Sequence, residues 1–117
     1  MTAKPRWFFI VSMDIPPEHE ALFNEVYDTE HVPYLSAVPG VISAVRSVRE
    51  PLDLLLEGKT HRIDPPNEPK YSVTYEIEGP EVLTSTAWGA AGERGRWPTV
   101  VRPLTFNRSH VLRRSIG

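Results

Sequence analysis

Cysteine is absent from the 117 residues. That excludes a disulfide framework, a thiolate zinc site, an iron–sulfur cluster and a cysteine nucleophile, and it fits a reducing, cytoplasmic setting. Long hydrophobic runs are missing as well. The longest early one, Trp7 to Val11, is far too short to cross a bilayer, and no signal-peptide core precedes it, so no membrane partner is expected. Neither sign of charge is in large excess: 13 Lys and Arg face 15 Asp and Glu, for a net of −2. Nucleic-acid binding by bulk charge is therefore not expected. There is no His-Glu-x-x-His, no Rossmann or P-loop glycine spacing and no Gly-x-Ser-x-Gly elbow. Glu18-His19-Glu20 and His61 do not make a metal site by spacing, so neither a metal nor a cofactor is expected.

The length suits one domain, residues 1–117, and is too short for a TIM barrel or a two-domain cleft. Residues 6–15 alternate as a strand, with Trp7, Phe9, Val11, Met13 and Ile15 on one face. The other face begins apolar at Phe8 and Ile10 and turns polar at Ser12 and Asp14, so the strand asks for cover on both sides. Pro16-Pro17-Glu18 starts a helix that runs through Phe23 and Tyr27, with an end or kink expected near His31 because Pro33 disfavours helical geometry before it. A short helical turn, 33–38, and the Pro39-Gly40 turn follow. Strands are expected at 41–49, 70–78 and 104–113, a second helix at 81–91 and a Gly-rich loop at 92–98, which with Trp97 suggests a lid. Residues 51–69 read as a long loop with Leu52 and Leu54 to Leu56 anchored. The order β-α-β, loop, β-α-β predicts an α+β, ferredoxin-like βαββαβ fold: a four-stranded antiparallel sheet with two helices on one face. The uncovered face of the first strand predicts a homodimer.

Phe23-Asn24-Glu25-Val26-Tyr27-Asp28-Thr29-Glu30-His31-Val32-Pro33, followed by Val38-Pro39-Gly40-Val41 and Arg46, resembles the EthD-like branch of the dimeric α/β-barrel superfamily. Ser85-x-x-Trp88 and Trp97 are similar to that group's second helix and following loop. The specific part spans residues 23–46. The resemblance implies small homodimers with a pocket between sheet and helices. The superfamily includes polyketide cyclases, cofactor-free monooxygenases, lactone isomerases and haem-degrading proteins. The 51–69 insertion is longer than a compact member needs.

Tyr27 and His31, four residues apart, share a helix face with Phe23. They read either as an acid–base pair or as a core tyrosine beside a histidine bonded to a helix-terminal carbonyl. The negative end of the helix dipole would favour a protonated imidazole. Arg46, among Ile42, Ala44 and Val48, either meets an anionic or carbonyl group or pairs with Glu30 or Asp28. Ser12, Asp14, Arg108 and His110 are polar residues on partly apolar strand faces. Solvent or structural contacts are the expectation for Asp14 and Arg108; Ser12 and His110 are candidates for orienting a substrate. Trp88, Trp97 and Tyr34 read as an aromatic wall or as packing. Together these residues suggest acid–base chemistry on a small hydrophobic aromatic or polyketide-like carbonyl compound. His31 and Tyr27 would be the proton-transfer groups and Arg46 the charge stabiliser. The alternatives are a non-catalytic ligand-binding or stress-related homodimer and a haem-binding or haem-degrading protein with His31 or His110 as axial ligand.

Overall fold

The computed structural model describes residues 4–117. Trp7–Asp14 form β1, Val41–Val48 β2, Tyr71–Ile77 β5 and Phe106–Arg114 β6. They make one antiparallel sheet in the order β2-β5-β1-β6, with β1 and β5 in the centre. Aromatic and β-branched residues fill these segments, which suits the half-buried pleat. The pairings Phe9 with Tyr75 and Val11 with Val73 put the apolar face of β1 and the alternating face of β5 on the same side. That side packs against the helices and holds Val11, Met13, Val73, Tyr75 and Ile77, all buried. The fold is therefore the ferredoxin-like α+β arrangement that the element order predicts.

The first helical segment departs from expectation. Instead of breaking near His31, the chain stays helical: α1 (Glu20–Val26) passes through a wide π turn (Tyr27–His31) into α2 (Val32–Ser36). Pro33 has no N–H to give to the carbonyl one turn back. The ladder absorbs the defect by widening just before it, with the Val32 N–H bonded to the Tyr27 carbonyl. The second helix is also altered. Pro80–Thr84 is a 3₁₀ segment, and Ser85, extended at ψ 151°, caps the short α3 (Thr86–Gly92) by accepting from the Trp88 N–H. The stretch expected as loop up to residue 98 holds a second π turn, Trp97–Val101, with Trp97 and Val101 buried.

The 51–69 insertion is not a structureless loop. Leu52–Leu56 (β3) and Lys59–Ile63 (β4) pair as a separate two-stranded ribbon around Glu57-Gly58, both at positive φ. Nor are its leucines anchored: Leu52, Leu54, Leu55 and Leu56 are all exposed, because the two strands of the ribbon pack chiefly on each other. The radius of gyration, 16.4 Å against about 13 Å for a compact chain of this length, reflects that projection. Ile42 also leaves the face it was assigned. A bulge between Val41 and Ser43 turns it to solvent, while Ala44 and Arg46 keep their partners Tyr75 and Val73. No helix among the described residues is long and apolar enough to cross a membrane.

Stability should follow this division between core and ribbon. Phe23→Ala, at 1 % exposure, is expected to cost about 3–5 kcal/mol in urea denaturation. Leu55→Ser, at 69 % exposure, should change it by less than about 0.5 kcal/mol.

Candidate functional site

A cavity of about 290 Å³ lies between the helix-side face of the sheet and the helices. Phe9, Val11, Met13 and Tyr75 form its floor; Tyr27, His31 and Leu35 of the first helical segment line one wall. Trp88, Gly89, Gly92 and Glu93 line a second, Trp97 and Arg102 a third, and Arg108 and His110 of β6 close the edge. Trp88 meets the rings of Phe9 and Tyr75 edge-on at 5.8 and 5.3 Å, and His110 stacks on Phe9 at 6.1 Å. The interior is thus largely aromatic, a surface that suits a planar apolar molecule.

His31 sits at its centre, 7 % exposed. Phe23, Tyr27 and His31 recur every four residues on one helix face, so their rings form a column. Trp97 lies against that column, stacked on the imidazole at 4.3 Å and meeting the Tyr27 ring at 4.8 Å. A polar clamp beside the stack holds it. Glu30, next to His31, accepts from the backbone N–H and the side chain of Arg96, next to Trp97. Gly95, at φ 71°, makes this approach possible, since a Cβ there would collide with the Glu30 carboxylate.

Burial pushes the His31 pKa down from 6.5 to about 4, and the charges of Arg102 and Arg108 push the same way against a smaller opposing effect of Glu93. The imidazole is therefore neutral at pH 7. The protonated state expected from a helix dipole is not supported, because no helix end lies at His31: the helix runs on to Ser36 and burial dominates. The Tyr27 hydroxyl bonds weakly to Met13 Sδ, 3.9 Å away, and burial raises its pKa to about 12. Two buried polar atoms of cavity residues, His31 Nδ1 and Tyr75 Oη, have no hydrogen-bond partner among the described residues.

The other sequence candidates separate. Trp88, Trp97 and His110 line the cavity. Arg46 does not: it donates to Asp28 and Asn24 at 2.8 Å each and lies over the outer side of the Tyr27 ring, 4.7 Å from its centroid. Ser12 faces the other side of the sheet and shares a hydrogen bond of 2.6 Å with Ser72. Tyr34 lies under the Arg94 guanidinium, 4.2 Å from it, beside a separate shallow hollow. Asp14 fastens a strand end, accepting from the Lys70 N–H and from Asn107. Arg108, read from sequence as a solvent or structural contact, is exposed and also lines the cavity rim. Arg102, Glu93 and Tyr75, which the sequence did not single out, line it too. For Arg108 the signal was the alternation it shares with His110; no sequence signal marked Arg102.

The depressed His31 pKa carries a stability consequence. The unfolded chain takes up a proton near pH 6.5 and the folded chain only near 4, so stability should fall as pH drops through that window. The loss attributable to this residue is about 3 kcal/mol. Denaturation of wild type and His31→Gln at pH 7 and pH 4.5 should show this component in wild type only.

No protein-family model and no curated protein matches the chain. A crystal structure of an ethyl tert-butyl ether d (EthD) family protein from Bacillus halodurans is similar in fold, with a TM-score of 0.58 at 13 % sequence identity. The match covers 94 % of this chain and 99 % of that one. The chain thus has the fold of an EthD family protein, in agreement with the group its Tyr-x-x-x-His-x-Pro and Pro-Gly motifs resemble.

Proposed function

We propose that the protein is an enzyme for acid–base chemistry on a small, hydrophobic, aromatic or polyketide-like carbonyl compound, with His31 as the proton-transfer group. The observation that carries this is a buried, neutral imidazole, that of His31, lining an aromatic cavity together with Tyr75 and two arginines. A neutral imidazole can accept a proton from a carbon next to a carbonyl. The enolate so formed would be stabilised by the new imidazolium and by the arginines at the cavity edge, Arg102 and Arg108. These residues take the role that sequence gave to Arg46. The same steps serve enolisation, isomerisation and ring closure, and the side chains present suffice for them.

The working unit proposed is a homodimer in a reducing cytoplasm, the latter in keeping with the absence of cysteine. The sheet face turned away from the helices carries Phe8, Ile10, Val45 and Val111. Val45 is 62 % exposed, and a second copy placed on this face would cover it. Sedimentation should give the mass of two chains, and Val45→Glu, placing a charge on that face, should give the mass of one.

Exchange of the α-protons of 2-tetralone in D2O, followed by NMR, tests the chemistry. The protein should accelerate exchange, and His31→Ala should reduce that acceleration by about 100-fold or more. Unchanged exchange in His31→Ala would remove His31 from the mechanism, and binding without exchange would leave a non-catalytic ligand-binding dimer.

A further inference from the structure

The charges around the cavity do not cancel. Glu93 lines it, yet its carboxylate is already taken: Arg102 reaches both carboxylate oxygens, at 2.8 and 3.0 Å, and a further donor of Arg102 meets the Gly92 carbonyl at 3.1 Å. His31 is neutral. Arg108 makes no ion pair among the described residues, so the cavity has a net positive charge at the β6 edge. The effect reaches the centre, since Arg108 depresses the pKa of both His31 and His110.

Strand alternation puts Arg108 on the same, helix-facing side as His110, which pairs with Val11. β6 pairs Ser109 with Ser12 and Phe106 with Asp14, leaving Asn107 and Arg108 opposite the single residue Met13. That extra residue is a bulge at the start of the strand, just before Arg108. Asn107 carries it at φ 51°, a conformation asparagine tolerates better than most residues. Its side chain donates to Asp14 at 2.9 Å and to the Asn67 carbonyl at 3.1 Å. An unpaired guanidinium at the open rim of an aromatic chamber is a place where an anionic group can dock.

Building on the proposed use of this cavity, we infer that its ligand is a planar apolar acid, an aromatic body carrying a carboxylate, with the carboxylate held by Arg108 and the body lying among Phe9, Trp88 and Trp97. The planar guanidinium fork matches a carboxylate in two-point contact. His31 and Tyr75, which also line the cavity, then remain beside a second polar group, such as a carbonyl. The substrate class narrows from carbonyl compounds in general to aromatic keto acids and related carbonyl acids.

Binding of 2-naphthoate and of its uncharged counterpart 2-naphthamide, followed by quenching of tryptophan fluorescence, tests this. Wild type should bind the acid at least about tenfold tighter than the amide, the scale of one charge-assisted contact. Arg108→Gln should bring the two to parity by weakening the acid alone, and Arg108→Lys should keep part of the preference. Arg62→Gln, the same loss of charge on the projecting ribbon, should keep all of it. Equal binding of acid and amide by wild type, no binding of either, or a preference that survives in Arg108→Gln would overturn the assignment. His31→Gln separates this inference from the proposed chemistry, because it should abolish proton exchange and leave the preference for the acid in place.

Discussion

The contact on which the rest of this structure depends is the stack of the His31 imidazole on the Trp97 indole. His31 comes from the first β-α-β half and Trp97 from the second. The stack therefore joins the halves at the point where the cavity lies, in a chain that has no disulfide to do so. Aromatic pairs of this kind add about 0.5–1.5 kcal/mol beyond the area they bury. Their larger effect here is geometric. With Trp97 on one face and the Tyr27 edge beside it, the imidazole is held between two rings at the wall of the cavity.

Placing a titratable ring in such a stack sets its charge. A protonated imidazole would lose its hydration to indole and phenol rings that return little of it, while the two nearby arginines repel it. The neutral form follows from packing, with no carboxylate hydrogen-bonded to the ring. The basicity of the site then depends on what enters. A carboxylate at Arg108 would neutralise part of the field that holds the His31 pKa down, making the imidazole a stronger base when ligand is bound than when the cavity is empty. Arg46 contributes from outside. Paired with Asp28 and Asn24, it braces the back of the Tyr27 ring and so keeps the column Phe23, Tyr27, His31 in line.

Much of the fold was legible in the residues because the two strongest periodicities, in 6–15 and 70–78, belong to the two central strands, where burial on the helix side imposes strict alternation. The helix spacing of Phe23, Tyr27 and His31 was legible for the same reason. What was hidden had local causes. Pro33 reads as a stop, yet the helix absorbs it by a π turn, an outcome decided by the packing of Tyr27, His31 and Leu35 rather than by propensity. The 51–69 segment hid a ribbon because its leucines suggest burial, and a two-stranded hairpin is seldom expected to stand apart from a core. Arg46 and Arg108 exchanged the parts assigned to them, for different reasons. Arg46 faces the helices but finds Asp28 on them first. Arg108 reaches the cavity rim by the alternation it shares with His110, a signal discounted because a charged residue on a strand reads first as a solvent contact.

The last strand ties the site to a general problem of open sheets. β6 is an edge strand, and an edge must be kept from pairing with other chains. Charge along β6, with Arg108, Arg113 and Arg114, and a bulge at its start both discourage such pairing. The same strand also builds the cavity rim, since its alternation turns Arg108 and His110 toward the helices. Flattening the bulge would leave a longer regular edge exposed and would undo the contact of Asn107 with Asp14. Asp14 stands at the junction of both roles. It holds the bulged Asn107 from the β1 side and, through the Lys70 N–H, fixes the start of β5, so the edge and the floor of the cavity are fastened by one carboxylate.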